Sequence, residues 1–130
     1  MIKNKLKAPN FKLLSTGDKE IELKKLKSKY IVLYFYPKDD TPGCTLETKD
    51  FNKLLNKFKK EDCLIFGISK DNIKSHEKFK KKYSVKFDLL ADEDKKVMKL
   101  YKVWAKKKFM GREFMGTVRS TYIIDKNKKI

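Results

Sequence analysis

Cysteine is scarce in this 130-residue chain, which holds only Cys44 and Cys63. Two thiols exclude a disulfide-built scaffold and a four-thiolate zinc site, and they make the reducing cytosol the default compartment. No apolar stretch approaches the roughly 18 residues that a membrane span requires. The basic opening at residues 1–7 leads into no apolar segment, so no secretory signal is expected. Internal repeats and Gly/Ser linkers are missing too, and the length fits one domain spanning residues 1–130.

Acidic residues are in short supply: 17 Asp+Glu stand against 34 Lys+Arg, for a net charge of +17. Such a surplus suggests nucleic acid as a partner, but arginine is nearly absent as well. All the cations but Arg112 and Arg119 are lysines. Specific recognition of phosphates and base edges favours the planar guanidinium fork, so no specific nucleic-acid partner is expected. The lysines run from end to end, with clusters at Lys24-Lys25, Lys80–Lys82, Lys106–Lys108 and Lys128-Lys129. They read as solvated faces, with non-specific attraction for polyanions as a lesser alternative.

What is present is a core. Hydrophobic residues make up 40% of the chain, with nine Phe and six Tyr. Tyr30–Tyr36 is an unbroken apolar run of β-branched and aromatic residues, the pattern of a strand buried on both faces. Before it, a short strand at Asn10–Leu14, a turn at Ser15–Asp18 and a segment at Glu20–Leu23 form a small hairpin. After it, Phe51, Leu54, Leu55 and Phe58 mark one face of a helix that reaches about Lys60. Cys63–Ile68 is a second buried strand. Asp71 is placed to cap a helix through Tyr83, Phe87–Leu90 is a third strand, and Asp92 is placed to cap a helix to about Tyr101. Lys102–Val118 reads as a long irregular stretch, with Trp104 and its apolar neighbours as packing. Arg119–Ile124 is a fourth strand and Asp125–Lys128 a turn. The alternation predicts an α/β sandwich, whose sites gather beyond the carboxyl ends of the parallel strands.

The first central strand hands over to its helix through Pro37-Lys38-Asp39-Asp40-Thr41-Pro42-Gly43-Cys44. Helix-start rules put Thr41 at the N-cap and Pro42 at the first helical position, with Cys44 in the first turn. Free N–H groups and the positive end of the helix dipole favour an anion there, and a thiolate is one. Roughly 3.4 kcal/mol separate a free thiol from one mostly ionised at neutral pH. A helix start supplies about 1–2 kcal/mol of this, and a charge-assisted bond from Arg about 1.5–3 kcal/mol. Arg119 is the candidate donor if its strand lies beside the first.

The pattern Pro37-x-x-x-Thr41-x-x-Cys44, extended by Thr45-Leu46-Glu47, resembles that of the peroxiredoxins, specifically the bacterioferritin-comigratory or Q-type branch. The resemblance continues through Ala8–Phe11, Gly67–Asp71, Phe87–Asp92, Tyr101–Trp104 and Arg119–Asp125. It implies a thioredoxin-like fold: a central mixed sheet with helices on both faces and an N-terminal hairpin. It also implies a thiol-dependent peroxidase, an oxidoreductase of antioxidant defence that reduces hydrogen peroxide and organic hydroperoxides. By that resemblance Cys44 is the peroxidatic nucleophile, becoming a sulfenic acid. Thr41 and the N–H groups of Gly43 and Cys44 position the peroxide, Arg119 stabilises the charge, Pro37 shields the pocket and Glu47 orients Arg119. Neither metal nor organic cofactor is implied.

The position where many Q-type members carry a resolving cysteine is Lys49 here. Cys63, a helix length away, is expected to be a core thiol rather than a substitute. A one-Cys enzyme is therefore expected, reduced by thioredoxin, glutaredoxin or a small thiol, as a cytoplasmic monomer or weak dimer. The family's final strand and helix have no counterpart before Ile130, so the expected fold lacks its C-terminal helix. A catalytically impaired thioredoxin-like protein acting as a basic interaction module is the alternative. His76 is expected to be a buried or boundary side chain, and Asp92-Glu93-Asp94 a helix start rather than a cation site.

Overall fold

In the computed structural model, which describes residues 5–130, the apolar run becomes strand β3 (Tyr30–Phe35) at the heart of a six-stranded sheet. Its side chains alternate between two cores. Ile31, Leu33 and Phe35 face one side with Phe11, Met98, Tyr101 and Tyr122. Val32, Tyr34 and Tyr36 face the other with Cys44, Leu55, Phe79 and Phe87. A strand buried on both sides needs an unbroken apolar sequence, and this one has it.

The sheet begins with the predicted hairpin, β1 (Lys12–Ser15) and β2 (Lys19–Glu22), followed by a 3-10 turn at Leu23–Lys25. After β3 come helices α1 (Pro42–Lys53) and α2 (Leu55–Lys60), then β4 (Cys63–Ser69), α3 (Ile73–Lys82), β5 (Asp88–Ala91) and α4 (Lys96–Leu100). A second hairpin, β6 (Trp104–Phe109) and β7 (Arg112–Thr117), precedes β8 (Ser120–Asp125). The order across the sheet is β2-β1-β5-β4-β3-β8. Strands β3, β4 and β5 are parallel, while β8 runs antiparallel to β3 with Ser120 opposite Phe35. This is the thioredoxin-like mixed sheet, with α1, α2 and α3 on one face and α4 on the other.

Four local expectations are corrected. The single helix to Lys60 is interrupted at Leu54, whose ψ of 2° turns its side chain outward while Phe51, Leu55 and Phe58 stay against the sheet. Asn72, not Asp71, caps α3 by accepting the Ser75 N–H at 2.8 Å. Asp92 lies four residues before α4, whose N-cap is Lys95, yet its carboxylate still accepts the free N–H groups of Val97 and Met98. The stretch read as irregular is mostly the β6–β7 hairpin. It turns on Met110 and Gly111, both with positive φ (51° and 78°), the geometry of a two-residue hairpin turn. Methionine in place of the usual Asn or Asp hid that turn. No helix among the described residues is long and apolar enough to cross a membrane.

Candidate active site

Cys44 stands in the third helical position of α1, which follows the carboxyl end of β3 after the loop of residues 36–41. Thr41 is the N-cap with extended backbone, Pro42 is the first helical residue, and the Thr41 carbonyl accepts the Thr45 N–H at 2.8 Å. The N–H groups of Gly43 and Cys44 in the first turn therefore have no helical acceptor. The Thr41 hydroxyl does not close this end. It donates to the Lys38 carbonyl at 2.8 Å and braces the approach to the helix.

Arg119 arrives from the opposite end of the sequence. Because β8 is antiparallel to β3, its first residues lie at the carboxyl end of β3, and Arg119 immediately precedes them. Its Nη2 donates to Cys44 Sγ at 3.1 Å, and its Nη1 donates to Glu47 Oε1 at 2.7 Å. One rigid fork thus serves the sulfur and a carboxylate one helical turn further on. A Cβ at Gly43 would lie 3.4 Å from Nη2, so the guanidinium crosses in contact distance of this first helical turn. Burial works against the Arg119 charge, but the bonds to Cys44 and Glu47 outweigh it and hold the guanidinium above its usual value. For Glu47 burial dominates, raising its carboxyl despite the opposing pull of Arg119. The two directions differ because Glu47 lies deeper, and the 2.7 Å contact is that of a charge-assisted bond.

The sulfur is neither solvent-exposed nor lost in hydrocarbon. Cys44 is 1% exposed and packs on the face of Val32, Tyr34 and Tyr36, while the guanidinium covers its outer side. Beside it lies a shallow depression of about 370 Å³ between Arg119, Gly43 and Glu47 and the apolar Leu46, Phe51 and Leu54. Tyr34 supports the floor, with its hydroxyl 2.9 Å from Thr48 Oγ1 and its ring stacked on Phe51. Its own path is cleared by Gly67, where a Cβ would come within 2.6 Å of the Tyr34 oxygen.

The remaining predicted residues fall around this centre or away from it. Pro37 is half-buried in the β3–α1 loop. Lys49 places its ammonium 5.9 Å from the Tyr83 ring centre. Cys63 pairs in register with Tyr30, at the end of the sheet remote from Cys44, and burial, then the Asp62 charge, pushes its thiol up. Both thiols are free. His76 is fully buried. Nothing local in the sequence announces its partners, because Asp39 and the Tyr36 hydroxyl come from the β3–α1 segment and the Leu90 carbonyl from β5.

The AhpC/TSA family matches residues 5–130. A putative peroxiredoxin bcp of Helicobacter pylori J99 is 51% identical over 118 residues, covering 91% of this chain and 78% of the relative. The peroxiredoxin Bcp of Bacillus subtilis is 44% identical over 124 residues, 95% and 79% of the two chains. Among solved structures, a PrxQ mutant of Xylella fastidiosa superposes with a TM-score of 0.93 at 31% identity, over all of this chain and 83% of the other. The bacterioferritin comigratory protein of Xanthomonas campestris, studied for alkyl peroxide reduction, superposes at 0.86 with 35% identity, over 92% and 76%.

Proposed function

The chain belongs to the AhpC/TSA family as a thiol peroxidase of the Bcp/Q peroxiredoxin kind, and from this premise we propose that Cys44 is its peroxidatic nucleophile and its only redox cysteine. The observation that carries the assignment is the Arg119 Nη2 contact with Cys44 Sγ at the N-terminus of α1. The Cys44 thiolate attacks one peroxide oxygen. A sulfur–oxygen bond forms, the oxygen–oxygen bond breaks, and the alcohol or water leaves after taking up a proton. Sulfur is oxidised by two electrons to the sulfenic acid while the peroxide is reduced.

Free N–H groups of Gly43 and Cys44 face the developing negative charge, and the Arg119 fork stabilises it beside the buried sulfur. Glu47 fixes the plane of that fork. Thr41 and Pro37 shape the entrance from the loop before the helix. The apolar side of the neighbouring depression suits organic hydroperoxides as well as hydrogen peroxide.

Turnover needs a thiol from outside the chain. Cys63 and Cys44 flank opposite ends of β3, which alone spans on the order of 16 Å, whereas a disulfide tolerates Cα separations of at most about 7 Å. The external thiol condenses with the sulfenic acid and releases water. A second thiol then frees Cys44 and leaves a disulfide between the two reductant sulfurs. A thioredoxin-type dithiol fits this demand, in a reducing cytoplasm and with the protein as a monomer or weak dimer. The basic-module alternative is not favoured, since it assigns no task to a guanidinium held on the cysteine. Peroxide consumption with a dithiol reductant tests the proposal: Cys44→Ser abolishes it and Cys63→Ser keeps it. Full activity in Cys44→Ser overturns the assignment.

A further inference from the structure

Behind the β3–α1 loop lies a buried polar cluster that the mechanism above does not use. His76 on α3 is fully buried and Asp39 nearly so. His76 Nε2 is 2.9 Å from the Leu90 carbonyl oxygen, and Nδ1 is 2.7 Å from Asp39 Oδ2. A carbonyl oxygen only accepts, so Nε2 carries a hydrogen. An ionised carboxylate also only accepts, so the Nδ1 contact needs a second hydrogen.

The other partners of Asp39 do not remove that need. The Tyr36 hydroxyl donates to Oδ1 at 2.6 Å, and the Ser75 hydroxyl donates to Oδ2 at 2.8 Å. Burial, reinforced by the Asp39 charge, holds the Tyr36 phenol well above its usual range, so it stays a donor. A neutral imidazole facing an ionised carboxylate would set two lone pairs against each other at 2.7 Å, out of reach of water.

We propose that His76 and Asp39 share one bound proton and that this pair is a positioning device for the Pro37–Thr41 loop at the peroxide site. Imidazolium with carboxylate, or imidazole with carboxylic acid, satisfies the hydrogen count equally, and either form is neutral overall, which makes burial tolerable. The neighbouring Asp71 joins from β4's end: its Oδ2 accepts the Asp39 N–H at 2.8 Å and the Ser69 hydroxyl at 2.6 Å. The Asp39 and His76 side chains are thus engaged with each other, while Asp71 Oδ2 is taken up by the Asp39 N–H and the Ser69 hydroxyl. The next residue, Asp40, is tied to Lys82 and Tyr83. Thr41, two positions after Asp39, is the N-cap of the helix that carries Cys44. Movement of Asp39 therefore passes directly to the cap and to the first-turn N–H groups. The positioning role rests on the peroxidase reading above; the shared proton does not.

The chain has a single histidine, so its ring signals are identified without ambiguity. Nitrogen-15 NMR of the wild type is expected to show a hydrogen on Nε2 and a strongly downfield proton bridging Nδ1 and Asp39. A ring with a bare Nδ1 and no bridging proton overturns the proposal. Asp39→Asn supplies a covalently held N–H to a neutral ring. The bridging proton then vanishes while the rate constant with hydrogen peroxide stays within about threefold of wild type, below the roughly fivefold that a typical neutral hydrogen bond is worth. Asp39→Ala, which removes the side chain's bonds to His76, Tyr36 and Ser75, is expected to lose roughly 10- to 100-fold in that rate constant. A folded Asp39→Ala with the wild-type rate, or an Asp39→Asn as slow as Asp39→Ala, removes the positioning role. A wild type that consumes no peroxide refutes the peroxidase reading and the positioning role together, while the ring spectrum still decides the proton.

Discussion

Replacing Arg119 by lysine keeps the positive charge and removes the fork. In the folded protein one guanidinium makes two bonds at once, to Cys44 Sγ at 3.1 Å and to Glu47 Oε1 at 2.7 Å. An ammonium is a point charge that cannot reproduce both directions, and Glu47 competes for it. The bond to sulfur is charge-assisted and partly buried, a class worth about 1.5–3 kcal/mol. Losing it raises the barrier to peroxide attack by a similar amount, a slowing of roughly 10- to 150-fold. Glu47→Gln leaves the guanidinium in place and removes a pair on the half-exposed rim. Its loss, about 0.2–1 kcal/mol, slows the reaction only about 1.5- to 5-fold. Arg119→Ala sets the lower limit. The assay is single-turnover oxidation by hydrogen peroxide, with Cys44 sulfenic acid followed by intact mass, and thermal unfolding as the control for folding. An Arg119→Lys enzyme as fast as wild type, or a Glu47→Gln enzyme slower than Arg119→Ala, refutes the assignment of charge stabilisation to the fork.

Three further perturbations probe the scaffold. Gly67→Ala drives a Cβ to 2.6 Å from the Tyr34 oxygen and 2.9 Å from Leu89, and it is expected to cost about 1–3 kcal/mol by urea unfolding. Asp88 is bonded to Lys19, Lys80 and Thr16; although burial opposes its charge, these partners hold its carboxyl below the usual range. The unfolded chain then binds the proton more readily, so this stabilisation is complete above the unfolded value near pH 3.9 and drains away as pH falls through the folded one. Asp88→Asn is accordingly expected to lose about 1–2 kcal/mol at pH 7 and markedly less at pH 3, as read from urea midpoints. Thr41→Val removes the hydroxyl that braces the Lys38 carbonyl at 2.8 Å; it is expected to slow peroxide oxidation of Cys44 more than it lowers the unfolding temperature.

The composition and local order of residues already determined much of this protein. A short apolar run rich in β-branched and aromatic residues and closed by Pro37 favours a strand buried on both faces, and Thr41-Pro42 favours a helix start that puts Cys44 in the first turn, as the structure has both. The spacing Pro37-x-x-x-Thr41-x-x-Cys44 implies peroxide chemistry through its resemblance to the peroxiredoxins, not through local propensity. The β6–β7 hairpin is not legible in the sequence because its strands are largely exposed, their alternation is weak, and a methionine occupies the left-handed turn position. What only the tertiary structure decided is which distant groups meet. Antiparallel pairing of β8 with β3 carries Arg119 across 75 positions to Cys44, and α3 packing brings His76 to Asp39. Local propensity acts over a few residues, whereas strand partnership and helix packing are settled by burying both faces of the whole sheet at once.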